Sequence, residues 1–362
     1  MRLATPHMGS LYDLLADLFS RMGVDYHDTP RTTERTVNLG VKYSPEFACL
    51  PLKITVGNFV EALETGADTL LMIGGIGPCR FGYYAEIQKR VLKEAGYGFD
   101  FITLEPPKVG WINFISTIKR MAPGCSVYSI YRHIRDCFRK AQVLDMLEKK
   151  WLELAAYDET PGDTTKAYAA AQEIVKRVTR PEELADAQHD AFSIMDGVRR
   201  DHDRKPLRIG IIGEFYLLLE PFFKFDIEPW LIKRGVSVDR GVYLTDWIGP
   251  TTNNPVAGMS AGEIEIAADP YLKHTVGGDG LASIGHAVHY AKEGFDGIVH
   301  LLPFTCMPDT IAKALLVNVS EDYGIPVLSM IVDEQTGKAG VHTRLEAFLD
   351  LMANRRRSWT RT

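Results

Sequence analysis

Short apolar runs alternate along the chain with longer segments whose apolar residues recur at helical spacing. Arg2–Thr5, Thr69–Ile73, Asp100–Leu104, Arg208–Ile212, Gly297–Leu302 and Pro326–Val332 read as strands. Ser10–Met22, Ile54–Glu64 and Tyr84–Ala95 read as helices between them. Gly23, Gly66, Gly96, Gly235, Gly294 and Gly324 fall where a helix would stop before a strand. This alternation predicts an α/β protein with largely parallel sheets.

The middle of the chain breaks the pattern. From about Ile134 to Arg204 the sequence is charged and helical, with FRKAQVLDMLEKKWLELAAY and later YAAAQEIVKRV, and it offers no strand. The reading is a first α/β unit over 1–133, a helical connector over 134–205, a second α/β unit over 206–350 and a tail over 351–362.

The two units resemble each other. ALETGADTLLMIGGIGPC and AKEGFDGIVHLLPFTC both run helix, Gly-x-Asp, strand, proline-bearing loop, Cys and helix. Their starts also agree, RLATPHMG…FSRMGVDY against LRIGIIGE…LIKRGVSVD. A duplication follows as an expectation: two similar Rossmann-like parallel-sheet units, with a cleft where their ligand-binding strand ends meet.

Duplication puts Cys79 and Cys306 at one topological position, the loop that leaves a strand's C-terminal end and enters a helix. Cys49 precedes the helix before the first of these strands, and Gly278-Asp279-Gly280 stands near the corresponding place in the second unit. A thiol at a helix N-terminus has its thiolate favoured by the dipole and the free N–H groups, and thiolates bind soft metals and iron–sulfur clusters. The stretch GGIGPCRFGYY then reads as a turn whose glycines admit a bulky cluster, with Pro51, Pro78 and Pro308 stiffening the loops. Each cysteine alone also reads as a packed thiol, since free cysteine is among the most buried residue types. Packing is the reading for Cys137, inside a helical segment. It is also the first reading for Cys125 in APGCSVY, where the loop keeps a fourth ligand open.

Composition narrows the classes. The chain has 362 residues, 46% hydrophobic and 24% charged, enough for about two domains with packed cores. Its net charge of −6 disfavours a general nucleic-acid or anionic-membrane binder. No apolar run nears the roughly 20 residues needed to span a bilayer, MRLATPHMGS lacks a signal-peptide core, and five cysteines suggest no disulfide framework. The expected location is the cytoplasm. Arg355-Arg356-Arg357 with Arg361 reads as a short solvated basic tail. GGIGPC and RIGIIGEF miss the dinucleotide and Walker patterns, and the zinc-deaminase pattern is missing too.

The stretches SPEFACLPLKITVGNFVEALETGAD and GPCRFGYYAEIQKRVLKEAGY resemble the 2-hydroxyacyl-CoA dehydratase and benzoyl-CoA reductase cluster-subunit family, nearest its acyl-CoA dehydratase activase-related, double-cubane-type members. LLPFTCMPD and SMIVDEQTGKAGVHTRLEAFLD are similar to the C-terminal segment of that branch. The resemblance implies a [4Fe–4S] cluster, or a larger double-cubane cluster, held by Cys49, Cys79 and Cys306 with one iron open. It also implies low-potential electrons from a separate ATP-hydrolysing activase, reductive or radical chemistry, and a homodimer or a heterodimer with a related subunit. Family dehydratases pair two unlike subunits, whereas this is one chain without a clear CoA pocket. Two other readings stand beside it: a non-catalytic electron carrier or cluster-binding partner, and a zinc protein using the same thiols, for which no fourth ligand is evident.

Other residues carry weaker signals. His7 faces the cleft or, more simply, caps a helix or lies in solvent. Arg80 offsets cluster charge, attracts an anionic substrate or makes a surface ion pair. Glu46 and Asp309 flank thiols and are suited to proton handling, with capping the plain reading of Asp309. Tyr83-Tyr84 reads as packing at a helix start, and Asp333-Glu334 with Thr343-Arg344 as a turn with ion pairs.

Overall fold

The protein was analysed as a computed structural model that describes residues 1–75, 77–106, 109–249 and 256–359, the last three without their side chains. The first unit runs β1 (Leu3–Ala4), α1 (Ser10–Arg21), α2 (Glu34–Tyr43), α3 (Leu50–Glu64), β2 (Thr69–Ile73), α4 (Tyr84–Glu94) and β3 (Asp100–Leu104). Helices α5 (Trp111–Met121), α6 (Val127–Leu154), α7 (Asp163–Lys176) and α8 (Leu184–Asp196) follow. The second unit begins with β4 (Leu207–Gly213), α9 (Phe215–Leu219), α10 (Ile227–Ile232), β5 (Val236–Arg240), α11 (Leu244–Ile248) and α12 (Ala261–Ala268). It ends with α13 (Gly280–Lys292), β6 (Gly297–Pro303), α14 (Met307–Tyr323), β7 (Val327–Val332) and α15 (Lys338–Trp359).

All strand pairs are parallel, in the orders β1-β2-β3 and β5-β4-β6-β7. The expected α/β fold of two Rossmann-like parallel units is therefore present. The units correspond in detail. Asp68, before β2, accepts the N–H of Arg2 at 2.7 Å, and Asp296, before β6, accepts that of Arg208 at 2.8 Å. The Gly-x-Asp signal is thus one latch used twice. Its glycines, Gly66 (φ 108°) and Gly294 (φ 70°), take the left-handed conformation that ends the preceding helix. The counterpart of β5 in the first unit is reduced to one parallel bridge, Leu3 to Tyr26.

One strand escapes the sequence pattern. VSVDR (β5) is buried along its whole length although it contains Asp239 and Arg240. Arg240, fully buried, pairs with Glu148 of α6 at 2.5 Å and Glu228 of α10 at 2.8 Å, and donates to the Val242 carbonyl at 2.8 Å. The charge is satisfied by tertiary partners that no local pattern carries.

The connector is helical and adds no strand, but α6 starts at Val127, before the expected boundary at 134. It serves both units: Lys140 reaches Asp17 of α1 at 3.4 Å, while Glu148 holds Arg240. One hydrophobic core runs through the first unit, the connector and one face of the second sheet. A smaller core, including Ile284, Tyr290, Ala312 and Leu316, fills the other face. The boundary at 350 also falls inside an element, because α15 continues to Trp359. The basic tail is not merely solvated. Arg355 donates to the Gly324 carbonyl at 2.8 Å and Arg356 to that of Lys205 at 2.7 Å. Arg361 and the Arg357 side chain lie outside what is described. No described helix is long and apolar enough to cross a membrane.

Candidate functional site

Cys49, Cys79 and Cys306 share one local setting: each is the residue just before a helical turn. Cys49 precedes α3, Cys306 precedes α14, and Cys79 precedes a 3₁₀ turn, Arg80–Tyr83, that leads into α4. Their carbonyls accept N–H groups of those turns, from Leu52 (3.0 Å), Gly82 (3.3 Å) and Thr310 (3.0 Å). Pro51 and Pro308 lie within the first helical turns, where a missing N–H costs nothing, rather than in loops.

The three positions come together across the two units. The Arg80 guanidinium donates to the Phe47 carbonyl at 3.1 Å and to the Thr305 carbonyl, two residues from Cys49 and one from Cys306. Arg80 is thus a clamp on backbone carbonyls, and among the described residues it forms no ion pair. Thr305 takes a positive φ of 64°, strained for a β-branched residue, on the turn that places its carbonyl there. Gly277 and Gly278 press on the same place from the second unit. A Cβ on Gly277 would stand 2.7 Å from the Cys79 nitrogen, and one on Gly278 3.6 Å from the Cys79 sulfur.

The glycines of GGIGPCRFGYY have a different reason from the one expected. A Cβ on Gly75 would stand 2.8 Å from the Phe81 ring, and one on Gly82 2.9 Å from the Gly75 carbonyl oxygen. The turn folds onto itself, and backbone contact, not room for a cluster, demands glycine at these two places. Ile76, between them, lies outside the described residues.

Each thiol meets a polar neighbour. The Cys49 sulfur is 2.6 Å from the Tyr84 hydroxyl, so this buried tyrosine does more than pack. Cys306 donates to Asp309 at 3.4 Å, and Asp309, fully buried, also accepts from Ser283 (3.0 Å) and meets His300 Nε2 (3.3 Å). Asp309 is therefore tied into a buried network rather than acting as a simple cap. Glu46 and Tyr83 are exposed.

Three carboxyl groups share the site: Asp309, Asp279 before α13, and Glu214 before α9. Glu214, which the sequence reading passes over, enters the electrostatic surroundings of all three thiols. The only signal for it is position, an acid leaving a strand at the point where the order of chain connections reverses. Burial, then Asp279 and Asp309, raises its carboxyl well above the usual range. Burial, then Asp309, brings Asp279 to about 7.

Helix N-termini were expected to favour thiolates; burial wins instead. It pushes Cys79 to about 11 against a backbone hydrogen bond from Phe81, and raises Cys49 against Tyr84 and Arg80. Cys306 is raised by burial and then by Asp309. The three thiols, with Glu214 in the electrostatic surroundings of each, are soft donors that a nearby positive charge would deprotonate. Among the described residues, no three His, Cys, Asp or Glu side chains are grouped tightly enough to enclose a single metal ion.

Other expected residues stand elsewhere. The Cys125 thiol donates to the Met22 carbonyl at 3.5 Å, at the far end of α1, which runs back from the strand ends that carry Cys79. Cys137 is buried against Asp17, 3.9 Å away. His7 is neither a cap nor solvated. It is buried, stacks on Tyr12 at 3.9 Å and meets the Thr29 carbonyl at 2.8 Å, on the wall of a separate cavity. Asp333 closes a turn with Thr336, and Glu334 pairs with buried Lys53 at 2.9 Å across the units, as a structural turn with an ion pair should.

A cavity of about 810 Å³ reaches the Cys79 turn at Gly278 and is lined by Trp247, Met259, Ile264, Gly278, Asp279 and His286 among others. The buried His286 Nδ1 has no hydrogen-bond partner among the described residues, and burial lowers the imidazole to about 3, so it stays neutral. Phe215 stacks on Trp247 at 4.1 Å and meets Phe81 edge-on at 5.8 Å, an aromatic wall from the cavity to the Cys79 turn. Compared with protein-family models and with curated proteins, the chain matches none.

Proposed function

We propose that this chain is an iron–sulfur protein related to the 2-hydroxyacyl-CoA dehydratases, with Cys49, Cys79 and Cys306 as cluster ligands. The observation that carries this is the set of three cysteines at helix starts of the two units, drawn together by the Arg80 contacts to the Phe47 and Thr305 carbonyls. The donor chemistry fits the group: soft sulfurs from rigid helix starts, with acids that favour positive charge nearby. When bound, a [4Fe–4S] or larger double-cubane cluster supplies single-electron transfer at one iron.

The residues around it supply the rest. Tyr84 and Asp309 orient two of the sulfurs, and the aromatic wall keeps water from one side. The adjoining cavity, with its neutral buried histidine, supports reductase or dehydratase chemistry over a closed electron carrier. Phe47, Tyr83, Phe304 and Met307 expose large apolar surface on segments flanking the cysteines. Such a rim suits a transiently docked electron donor, here an ATP-hydrolysing activase. A second copy or a related subunit is the further partner in this reading, and the cytoplasm is the compartment.

Anaerobic reconstitution with iron and sulfide tests the ligand assignment. Equal iron and sulfide, with an EPR signal on reduction, is the expected result; stoichiometric zinc without sulfide would overturn it. Turnover with activase, ATP and reductant then separates an enzyme from a carrier, which would take electrons but transform no substrate.

A further inference from the structure

The correspondence between the units reaches one residue beyond the three thiols. Cys49 stands before α3, the helix that leads through the Gly-x-Asp latch into β2, and Cys79 follows β2. In the second unit, Asp279 stands before α13, which leads through the same latch into β6, and Cys306 follows β6. Asp279 therefore holds the place of Cys49. From this placement, and resting on the cluster reading above, we infer that Asp279 is the fourth protein donor, an oxygen ligand for the iron that the three cysteines leave open.

Two observations on Asp279 itself agree with the inference. Aspartate is among the strongest helix caps, yet this side chain does not cap its own helix; its Oδ2 accepts the N–H of Phe215 at 3.1 Å. Glu214, by contrast, spends an oxygen on its own helix by accepting from Leu217 at 3.2 Å. Asp279 also lies where the Cys79 turn and the cavity meet. Gly278 beside it is packed on Cys79, and both residues line the cavity. A hard carboxylate on iron among soft thiolates is the ligand most easily exchanged. Asp279 would close the site at rest and yield its place to a molecule arriving through the cavity.

The test compares reconstituted full-length wild type with Asp279→Asn and Asp279→Cys, using azide as the probe. Asn keeps an acceptor for the Phe215 N–H while weakening the bond to iron. Iron and sulfide content, Mössbauer spectra and azide titrations of the reduced protein are measured for each. The inference expects one distinct iron site in wild type, shifted in D279N and lost in D279C, with azide binding to D279N tightened about tenfold or more. It expects D279C to become insensitive to azide. If wild type loads normally but D279N and D279C give the same spectra and titrations as wild type, the inference falls and the three-cysteine site stands. If wild type takes up no iron and sulfide, the cluster reading falls and takes the inference with it.

Discussion

The two α/β units share a strand order, an aspartate latch and helices started at the same points, yet they spend those starts differently. The first places thiols before both helices that flank its central strand, Cys49 and Cys79; the second places Asp279 and Cys306. They differ in support as well. The first has a two-residue β1 and a single bridge at Tyr26, whereas the second carries the full strand β5 braced by the buried Arg240 pairs. One scaffold thus offers fixed positions at its strand ends, and the residue at each position decides the chemistry. The unit with the stronger frame supplies all three of the acids named at the site.

The largest effect that would break this comparison is loss of a thiol from either side. Single Cys→Ser changes at Cys49, Cys79 and Cys306 should each lower cluster content about tenfold or more. Cys125→Ser and Cys137→Ser should retain it, as iron and sulfide analysis will show. Full occupancy in Cys306→Ser would mean that the second unit contributes no ligand sulfur.

The frame of the second unit is the next target. Arg240→Met takes the guanidinium from half-buried Glu148 and buried Glu228, leaving Lys224 as the cation beside both, and should cost about 3 kcal/mol in urea denaturation. An unchanged midpoint would show that β5 is not held by this network.

Contact between the units is probed at Gly9, which has φ 58° and whose Cβ would overlap the Leu219 carbonyl. Gly9→Ala should destabilise by about 2 kcal/mol or more, against about 1 kcal/mol for Gly96→Ala, where φ is also positive but the space is open. Equal losses would remove the argument that these surfaces are in close contact.

The smallest effect is one of pH. Burial raises Asp145 to about 7, although Thr245 donates to it from both its N–H and its hydroxyl at 2.8 and 2.7 Å. The folded state therefore holds this proton more tightly than the unfolded chain does. Its contribution to stability is present at low pH and fades between the ordinary carboxylate range and about 7. Asp145→Asn should flatten part of the fall in stability over that window in urea titrations at stepped pH. A profile identical to wild type would place the proton elsewhere.

Much of this was legible in the chain, for a physical reason. Thr69–Ile73 and Asp100–Leu104 have the bounds that the apolar runs give, because strands enclosed by helices on both faces can carry few polar residues. Gly-x-Asp is legible twice because a left-handed helix end and a carboxylate latch need those residue types. β5 is not, since Asp239 and Arg240 look exposed until Glu148, far away in sequence, is seen beside them. Tyr84 looks like packing because nothing local says that its hydroxyl meets a sulfur 35 residues away.

The sequence by itself determined the fold class, the paired architecture and the three cysteines at helix starts, all of which depend on local periodicity, turn chemistry and repetition. Only the tertiary structure decided what surrounds those cysteines. It separated Cys125 from them, brought Glu214 and Asp279 to them, turned Arg80 into a clamp and raised thiols that helix N-termini alone would have lowered. The reason is range. Backbone preferences act over a few residues and are written locally, whereas burial and charge act through space between segments that folding alone makes neighbours.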